Sequence, residues 1–216
     1  FPAGRAEVTG LPVREEFFTV GPSASQGPFH VLITGGSRGA RSLNKAAREA
    51  WPALAASPIP VSVTVQCGQA EAGRMKAEFA ESGLKGEVTA FIDDMPRAYG
   101  RASLVVSRSG AGAVSEIAAA RRASILVPFP FAADDHQTHN AMAMVRAGAS
   151  ILIADKDLDG ARLAGEILRL AQDPAAASEM GARARGLARP GAAQRAADLL
   201  EECARSIDSA KRSPEQ

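Results

Sequence analysis

The chain has 216 residues, 46% hydrophobic and 23% charged, a balance that suits a globular protein with one large core or two small ones. Twenty-five basic against 24 acidic side chains leave a formal net charge of +1, without the basic excess of a nucleic-acid binder. The longest apolar run, residues 124–133, holds two prolines and is too short to span a bilayer, and two isolated cysteines, Cys67 and Cys203, make neither a disulfide framework nor a metal site, which fits a reducing cytoplasm.

The chain starts at Phe1, with no charged n-region before an apolar stretch, so no signal peptide is read and a start within a longer protein is expected. Residues 1–28 are rich in Gly, Pro and Ser and read as a linker entering a domain. Short β-branched apolar runs follow at 30–34, 61–66, 88–91, 104–107, 124–127 and 150–153. Helical patterns separate them at 40–51, 69–81, 95–100, 111–120 and 137–147. Only helices follow, at 158–171, 175–188 and 192–207, and a disordered tail is expected over 208–216. Strands alternating with helices predict an α/β fold: one doubly wound, Rossmann-like parallel sheet over residues 29–207 with a helical C-terminal tail. Ligands of such sheets bind outside the carboxyl ends of the strands, so the loops after the strands carry the chemistry.

The first such loop is Thr34-Gly35-Gly36-Ser37-Arg38-Gly39-Ala40. Its glycines let the backbone turn sharply and present N–H groups to an anion, with the positive end of the next helix behind them. No lysine follows Gly39, which excludes a Walker A loop, and Ser37 stands where a dinucleotide fingerprint needs its second glycine. A tight turn without a ligand is the alternative. The second loop is Ser107-Arg108-Ser109-Gly110-Ala111-Gly112-Ala113-Val114-Ser115-Glu116. Small residues open a helix at Ala111, whose unpaired first-turn N–H groups suit a diphosphate. Glu116, a turn and a half on, suits two ribose hydroxyls. The alternative is an ordinary helix start with an acid favouring the dipole.

The third loop runs from Pro128 to Asn140 and includes Asp134-Asp135-His136-Gln137. It mixes donors and acceptors as sugar hydroxyls require. Asp134 or Asp135 reads as a helix cap and His136 and His139 as residues of a solvated face, rather than as metal ligands. Phe91-Ile92-Asp93-Asp94-Met95-Pro96 reads as strand, loop and a helix capped by Asp94. Asp155-Lys156-Asp157 matches the D-x-D pattern of some cation-binding transferases, but here it reads as a strand end and a helix cap.

Together these segments resemble the donor-binding half of the MurG family of cell-wall glycosyltransferases. The resemblance covers about residues 9–200 and rests on Thr9-Gly10-Leu11-Pro12-Val13-Arg14, the 35–40 loop, Phe91–Met95, Ser107–Glu116 and Val127–Asn140, in order and at family spacing. It implies a GT-B fold of two Rossmann-like domains, of which this chain is the C-terminal one and an N-terminal acceptor domain is missing. It implies transfer of N-acetylglucosamine from UDP-GlcNAc, with inversion, to undecaprenyl-diphosphate-linked muramyl pentapeptide, the step from lipid I to lipid II in peptidoglycan synthesis. By the same resemblance Arg14 lies against the uracil, Ser37 meets the diphosphate beside Gly36 and Arg38, and the Ile92 backbone reads the uracil edge. Ala111, Gly112, Ala113, Val114 and Ser115 form the helix start under the diphosphate, with Glu116 on the ribose. Gln137 holds sugar hydroxyls, with His136 beside it. Leu11, Arg38 and Ala113 depart from the usual asparagine, glutamine and threonine. The resemblance implies no cofactor, no metal and no nucleic acid. The general base, a histidine, and the lipid-linked acceptor are expected on the missing half, as is peripheral contact with the inner face of the bacterial plasma membrane. No catalytic residue is therefore assigned here, and this chain alone is expected to bind donor without turnover. Half of a UDP-GlcNAc 2-epimerase or another lipid glycosyltransferase, or a non-catalytic UDP-sugar-binding module with a separate partner, are the rival readings.

Overall fold

The computed structural model describes residues 6–22, 27–36 and 39–212, with 206–212 described by backbone alone. Six β-strands form one parallel sheet: β1 (Phe29–Thr34), β2 (Val61–Gln66), β3 (Lys85–Thr89), β4 (Leu104–Ser107), β5 (Ala123–Leu126) and β6 (Ser150–Leu152). Their order is β3-β2-β1-β4-β5-β6. The register sets Thr34 beside both Gln66 and Ser107, so the strands that flank the centre end level with one another.

Strand residues alternate between two cores because successive side chains leave opposite faces of the pleat. Val31, Ile33, Leu104 and Val106 point into one core, which α2 (Arg41–Ala55), α3 (Gln69–Glu81) and α7 (Gly160–Gln172) cover. Leu32, Val105 and Leu126 point into the other, which α1 (Glu15–Phe18), α4 (Met95–Arg101), α5 (Ala111–Ala119) and α6 (His136–Arg146) cover. Helix α8 (Pro174–Arg185) contributes Ala177 to the first core and Ala184 to the second. Both faces of the central strands are thus closed to water, which is why β1 and β4 read as short, mainly apolar runs, while β2 alternates valine with the buried Ser62, Thr64 and Gln66. This is the Rossmann-like arrangement expected from the alternation of strands and helices.

Four local expectations differ from the structure. Strand β3 starts at Lys85 rather than Val88, since an edge strand tolerates the exposed Lys85-Gly86-Glu87 that hides it from an apolar pattern. Helix α2 runs past Trp51 through Pro52 to Ala55, and burial of Leu54 offsets the proline's missing donor. The entry segment is more than a linker. It forms α1, and Phe17, fully buried, packs edge-on against Tyr99 with ring centroids 5.2 Å apart. Finally, α9 (Ala192–Arg212) continues as helix into the stretch expected to be disordered. Among the described residues no helix is long and apolar enough to cross a membrane.

Candidate functional site

The chain leaves β1 for a helix on one face and leaves the adjacent β4 for a helix on the other. Two neighbouring strands whose connections diverge leave a crevice at their carboxyl ends. Here that crevice is a cleft of about 380 Å³ between the Gly-rich loop, the turn before α4 and the start of α5.

Polar residues that end buried strands build its floor. The Thr34 hydroxyl donates to Gln66 Oε1 (3.2 Å), and Gln66 Nε2 donates to the Gly36 carbonyl (3.3 Å). The Gly36 N–H reaches Thr34 Oγ1 at 3.3 Å, and the Gly39 N–H closes a turn onto the Gly36 carbonyl at 2.9 Å. Gly39 has φ +73°, a left-handed conformation that side chains disfavour. The loop then enters α2, whose first intrahelical bond runs from Asn44 N to Ala40 O.

Helix α5 opens on the opposite wall. Its first intrahelical bond is Val114 N to Gly110 O at 3.0 Å, which leaves the N–H groups of Ala111, Gly112 and Ala113 outside the ladder. Neither Ala40 before α2 nor Gly110 before α5 supplies a side-chain cap. By contrast Asp94, Asp159 and Asp173 cap α4, α7 and α8 by accepting from backbone N–H groups three residues on. The uncapped, positively polarised start of α5 therefore faces the cleft, and that of α2 opens on an adjoining hollow that shares Gly35, Arg108 and Gln137 with it, a field suited to a polyphosphate.

Glu116 lines the cleft beside Tyr99. Burial pushes its carboxyl above the usual carboxylate range, and the charge of Arg14 opposes that rise. Burial pushes the Tyr99 phenol up as well, helped by the negative charge of Glu116. The guanidinium of Arg14 sits over the Phe17 ring, 5.3 Å from its centroid. Gln137, at the start of α6, is aimed by the backbone. The Phe129 N–H donates to its Oε1 (3.0 Å), and the residue lines the cleft with its Nε2 donors not taken up by that bond. The Ser109 hydroxyl donates to the Gln137 carbonyl (2.8 Å) and Asn140 Nδ2 to the Ser109 carbonyl (3.0 Å), which docks α6 on the loop before α5.

Of the residues singled out from the sequence, Gly36, Ile92, Gly112, Ala113, Glu116 and Gln137 line this one cleft. Val114 instead packs into the core, and Ala111 and Ser115 lie on the same helix outside the lining. Arg14 stands at the Phe17 ring rather than in the lining. His136 is exposed, with Nδ1 on the Ala133 carbonyl at 2.7 Å. Ser37 and Arg38 lie outside the described residues.

The Asp155-Lys156-Asp157 stretch forms a 3₁₀ turn, and the cap of the next helix is Asp159 rather than either of its aspartates. Asp155 accepts from Arg108 and Ser42 instead, both at 2.6 Å. Sequence reasoning gave no role to Thr34, Gln66, Tyr99 or Arg108, and read Asp155 only as part of a strand end and helix cap. The available signal was position: Thr34, Gln66 and Ser107 are polar residues at the carboxyl ends of buried strands. His30, low on β1, binds the Ser62 and Thr64 hydroxyls (2.8 and 3.1 Å), and burial lowers its pKa.

The chain matches the glycosyltransferase family 28 C-terminal domain over residues 30–202. It is 54% identical over 205 residues to the UDP-N-acetylglucosamine–N-acetylmuramyl-(pentapeptide) pyrophosphoryl-undecaprenol N-acetylglucosamine transferase of Solibacter usitatus, covering 95% of this chain and 56% of that protein. The transferase of the same name from Geobacter sp. (strain M21) is 41% identical over 197 residues, covering 90% of this chain and 53% of that one. The crystal structure of Acinetobacter baumannii MurG superposes with a TM-score of 0.76 at 31% identity, over 94% of this chain and 57% of that one. The chain thus spans about half the length of the curated relatives it matches.

Proposed function

The chain belongs to glycosyltransferase family 28, and from that premise we propose that it is the donor-binding half of an inverting N-acetylglucosaminyltransferase. It takes UDP-GlcNAc, and the complete enzyme passes the sugar to an undecaprenyl-diphosphate-linked muramyl pentapeptide during peptidoglycan synthesis. The observation that carries this reading is the cleft at the switch point, where the uncapped N-terminus of α5, the Gly-rich loop that leads into α2, a carboxylate and an oriented amide converge.

Each part has a role in the reaction. The diphosphate lies against the N–H groups of Ala111, Gly112 and Ala113 and the positive end of α2. Glu116 accepts bonds from the ribose hydroxyls. The backbone at Ile92 reads the uracil edge, and Arg14 moves from the Phe17 ring to stack on the base, which its planar head suits. Gln137 donates from Nε2 to sugar hydroxyls. An acceptor hydroxyl attacks the anomeric carbon on the face away from the diphosphate, and the bond to the departing UDP oxygen breaks. Negative charge grows on the diphosphate as that bond breaks. Helix dipoles already aimed there stabilise it without reorganising, which is the larger part of the rate such a site supplies. The acceptor side and its general base come from a second domain, which also meets the cytoplasmic face of the membrane where the lipid-linked acceptor resides.

Calorimetric titration of this chain with UDP-GlcNAc, UDP-glucose and NAD tests the donor reading. Binding of UDP-GlcNAc with clear preference over the other two is expected. Preference for UDP-glucose would point to another transferase, and binding of NAD in place of either sugar nucleotide would overturn the reading.

A further inference from the structure

Arg108 stands where the cleft meets a second hollow of about 480 Å³ walled by Phe129, Phe131 and the start of α2. Its guanidinium is directed away from solvent, with the side chain only 15% exposed and that of its ion-pair partner Asp155 22% exposed. One terminal nitrogen donates to Asp155 Oδ1 (2.6 Å) and to the carbonyls of Val127 (3.2 Å) and Pro128 (3.0 Å). The other donates to the Ser42 hydroxyl (2.7 Å), which itself donates to Asp155 Oδ1 (2.6 Å). The guanidinium also lies over the Phe129 ring, 5.5 Å from its centroid. Arg108, Ser42 and Asp155 therefore close a ring of charge-assisted bonds among three segments far apart in sequence, and partly buried networks of this kind stiffen what they join.

The ring has a direction. Val127 and Pro128 immediately precede Phe129, whose N–H aims the Gln137 side chain. Among the described residues, the hydrogen bonds and ion pair of the ring go to Val127, Pro128, Ser42 and Asp155 and not to Ile92 or Glu116 at the nucleotide end of the cleft. We propose that Arg108, locked by Asp155 and Ser42, is a positioning residue for the sugar of the donor: it sets the 127–137 loop and so governs affinity for the sugar while leaving affinity for the nucleotide unchanged. The proposal rests on the donor reading above. It explains why an arginine lining the cleft is neutralised by an aspartate instead of being left to attract the diphosphate. It also requires arginine rather than lysine, since only a planar fork reaches two carbonyls, a carboxylate and a hydroxyl together.

Two measurements on Asp155→Ala, Asp155→Asn and Arg108→Lys test it. Hydrogen exchange of the ligand-free chain reads the loop directly, and exchange at the Phe129 N–H is expected to quicken by about tenfold in Asp155→Ala and Arg108→Lys, with less effect in Asp155→Asn, which keeps an acceptor. Titration with UDP and with UDP-GlcNAc then reads the consequence. The UDP dissociation constant should stay within about twofold of the parent while the added affinity from the sugar is lost. Unchanged exchange overturns the ring as a positioning device whatever the ligands do. Parallel loss of UDP and UDP-GlcNAc affinity with a lowered melting temperature overturns the sugar role in favour of a general structural one. A parent chain that binds neither ligand overturns the donor reading, and with it the sugar role, while the exchange result still decides the ring.

Discussion

Gly39 and Cys67 touch backbone to backbone: a Cβ placed on Gly39 would fall 2.0 Å from the Cys67 carbonyl oxygen. Together with its positive φ, this makes glycine the one residue that lets the loop after β1 turn against the end of β2. Gly39→Ala is expected to lose at least about 2 kcal/mol of stability, from left-handed strain plus the clash. Urea titration checks this. A midpoint within error of the parent would show that the loop relaxes around the methyl.

Glu116→Ala is expected to weaken UDP binding by about 2 kcal/mol, or thirtyfold, if two charge-assisted bonds to ribose are lost. Titration calorimetry reads this, and equal affinity in the two proteins would remove Glu116 from the site.

The raised carboxyl of Glu116 gives donor binding a pH dependence of definite sign. Hydroxyls donate to the carboxylate, so affinity for UDP-GlcNAc should hold at neutral pH and fall as pH drops through the raised value. Glu116→Gln should bind more weakly at neutral pH and show no such fall. The stability effect runs the other way. A carboxyl whose folded pKa is raised contributes stability below its unfolded value and loses it as pH rises through the folded one. Glu116→Gln should therefore melt higher than the parent at neutral pH, with the difference vanishing between the raised value and the ordinary carboxylate range. Parallel melting curves at all pH values would contradict the burial of this group.

Binding of UDP-GlcNAc is expected to be unaltered by EDTA. The two helix ends supply the electropositive field. Asp155 is already engaged by Arg108 and Ser42, and Asp135 by the Thr138 hydroxyl at 2.6 Å. A strong loss of affinity in EDTA, restored by a divalent cation, would assign the aspartates to a metal.

Arg122 is 1% exposed and binds carbonyls: those of Tyr99 (2.6 Å), Gly21 (2.8 Å), Gly100 (3.3 Å) and Arg121 (3.4 Å). Burial, with the neighbouring Arg121 charge, lowers its pKa to about 10, so it stays charged at neutral pH. It ties the entry segment that carries Arg14 to α4. Arg122→Ala should cost about 3 kcal/mol, because buried carbonyls lose their donors. It should also speed hydrogen exchange over residues 14–22. A loss below about 0.5 kcal/mol would mean that water replaces the guanidinium.

Much of the fold was legible because both faces of the central strands are buried, so 104–107 reads as an apolar run and 61–66 as a β-branched one with valine at every second position, both with their observed limits. The edge strand was half hidden for the converse reason, since Lys85 and Glu87 face water. Helix α1 escaped notice because four residues carry no periodicity and its single buried side chain, Phe17, gains meaning only beside Tyr99. The residues of the cleft were legible where a motif places them at strand ends: Gly36 after β1, Gly112, Ala113 and Glu116 after β4, Gln137 after β5. Arg108 was in plain view within one of those motifs, yet its partners Ser42 and Asp155 lie 66 positions before and 47 positions after it, and no local pattern joins them.

The sequence by itself determined the alternation of strands and helices, the loops that leave the sheet at its ligand-binding edge, and the family to which those loops point. Such features depend on neighbours within a few positions, where side-chain period and backbone preference act. Only the tertiary structure decided which motif residues meet. It turned Val114 into the core, held Arg14 on Phe17 and raised the Glu116 carboxyl by burial. It also gathered three distant segments around one guanidinium. Those outcomes depend on burial and on charge at close range, and both exist only once the chain has folded.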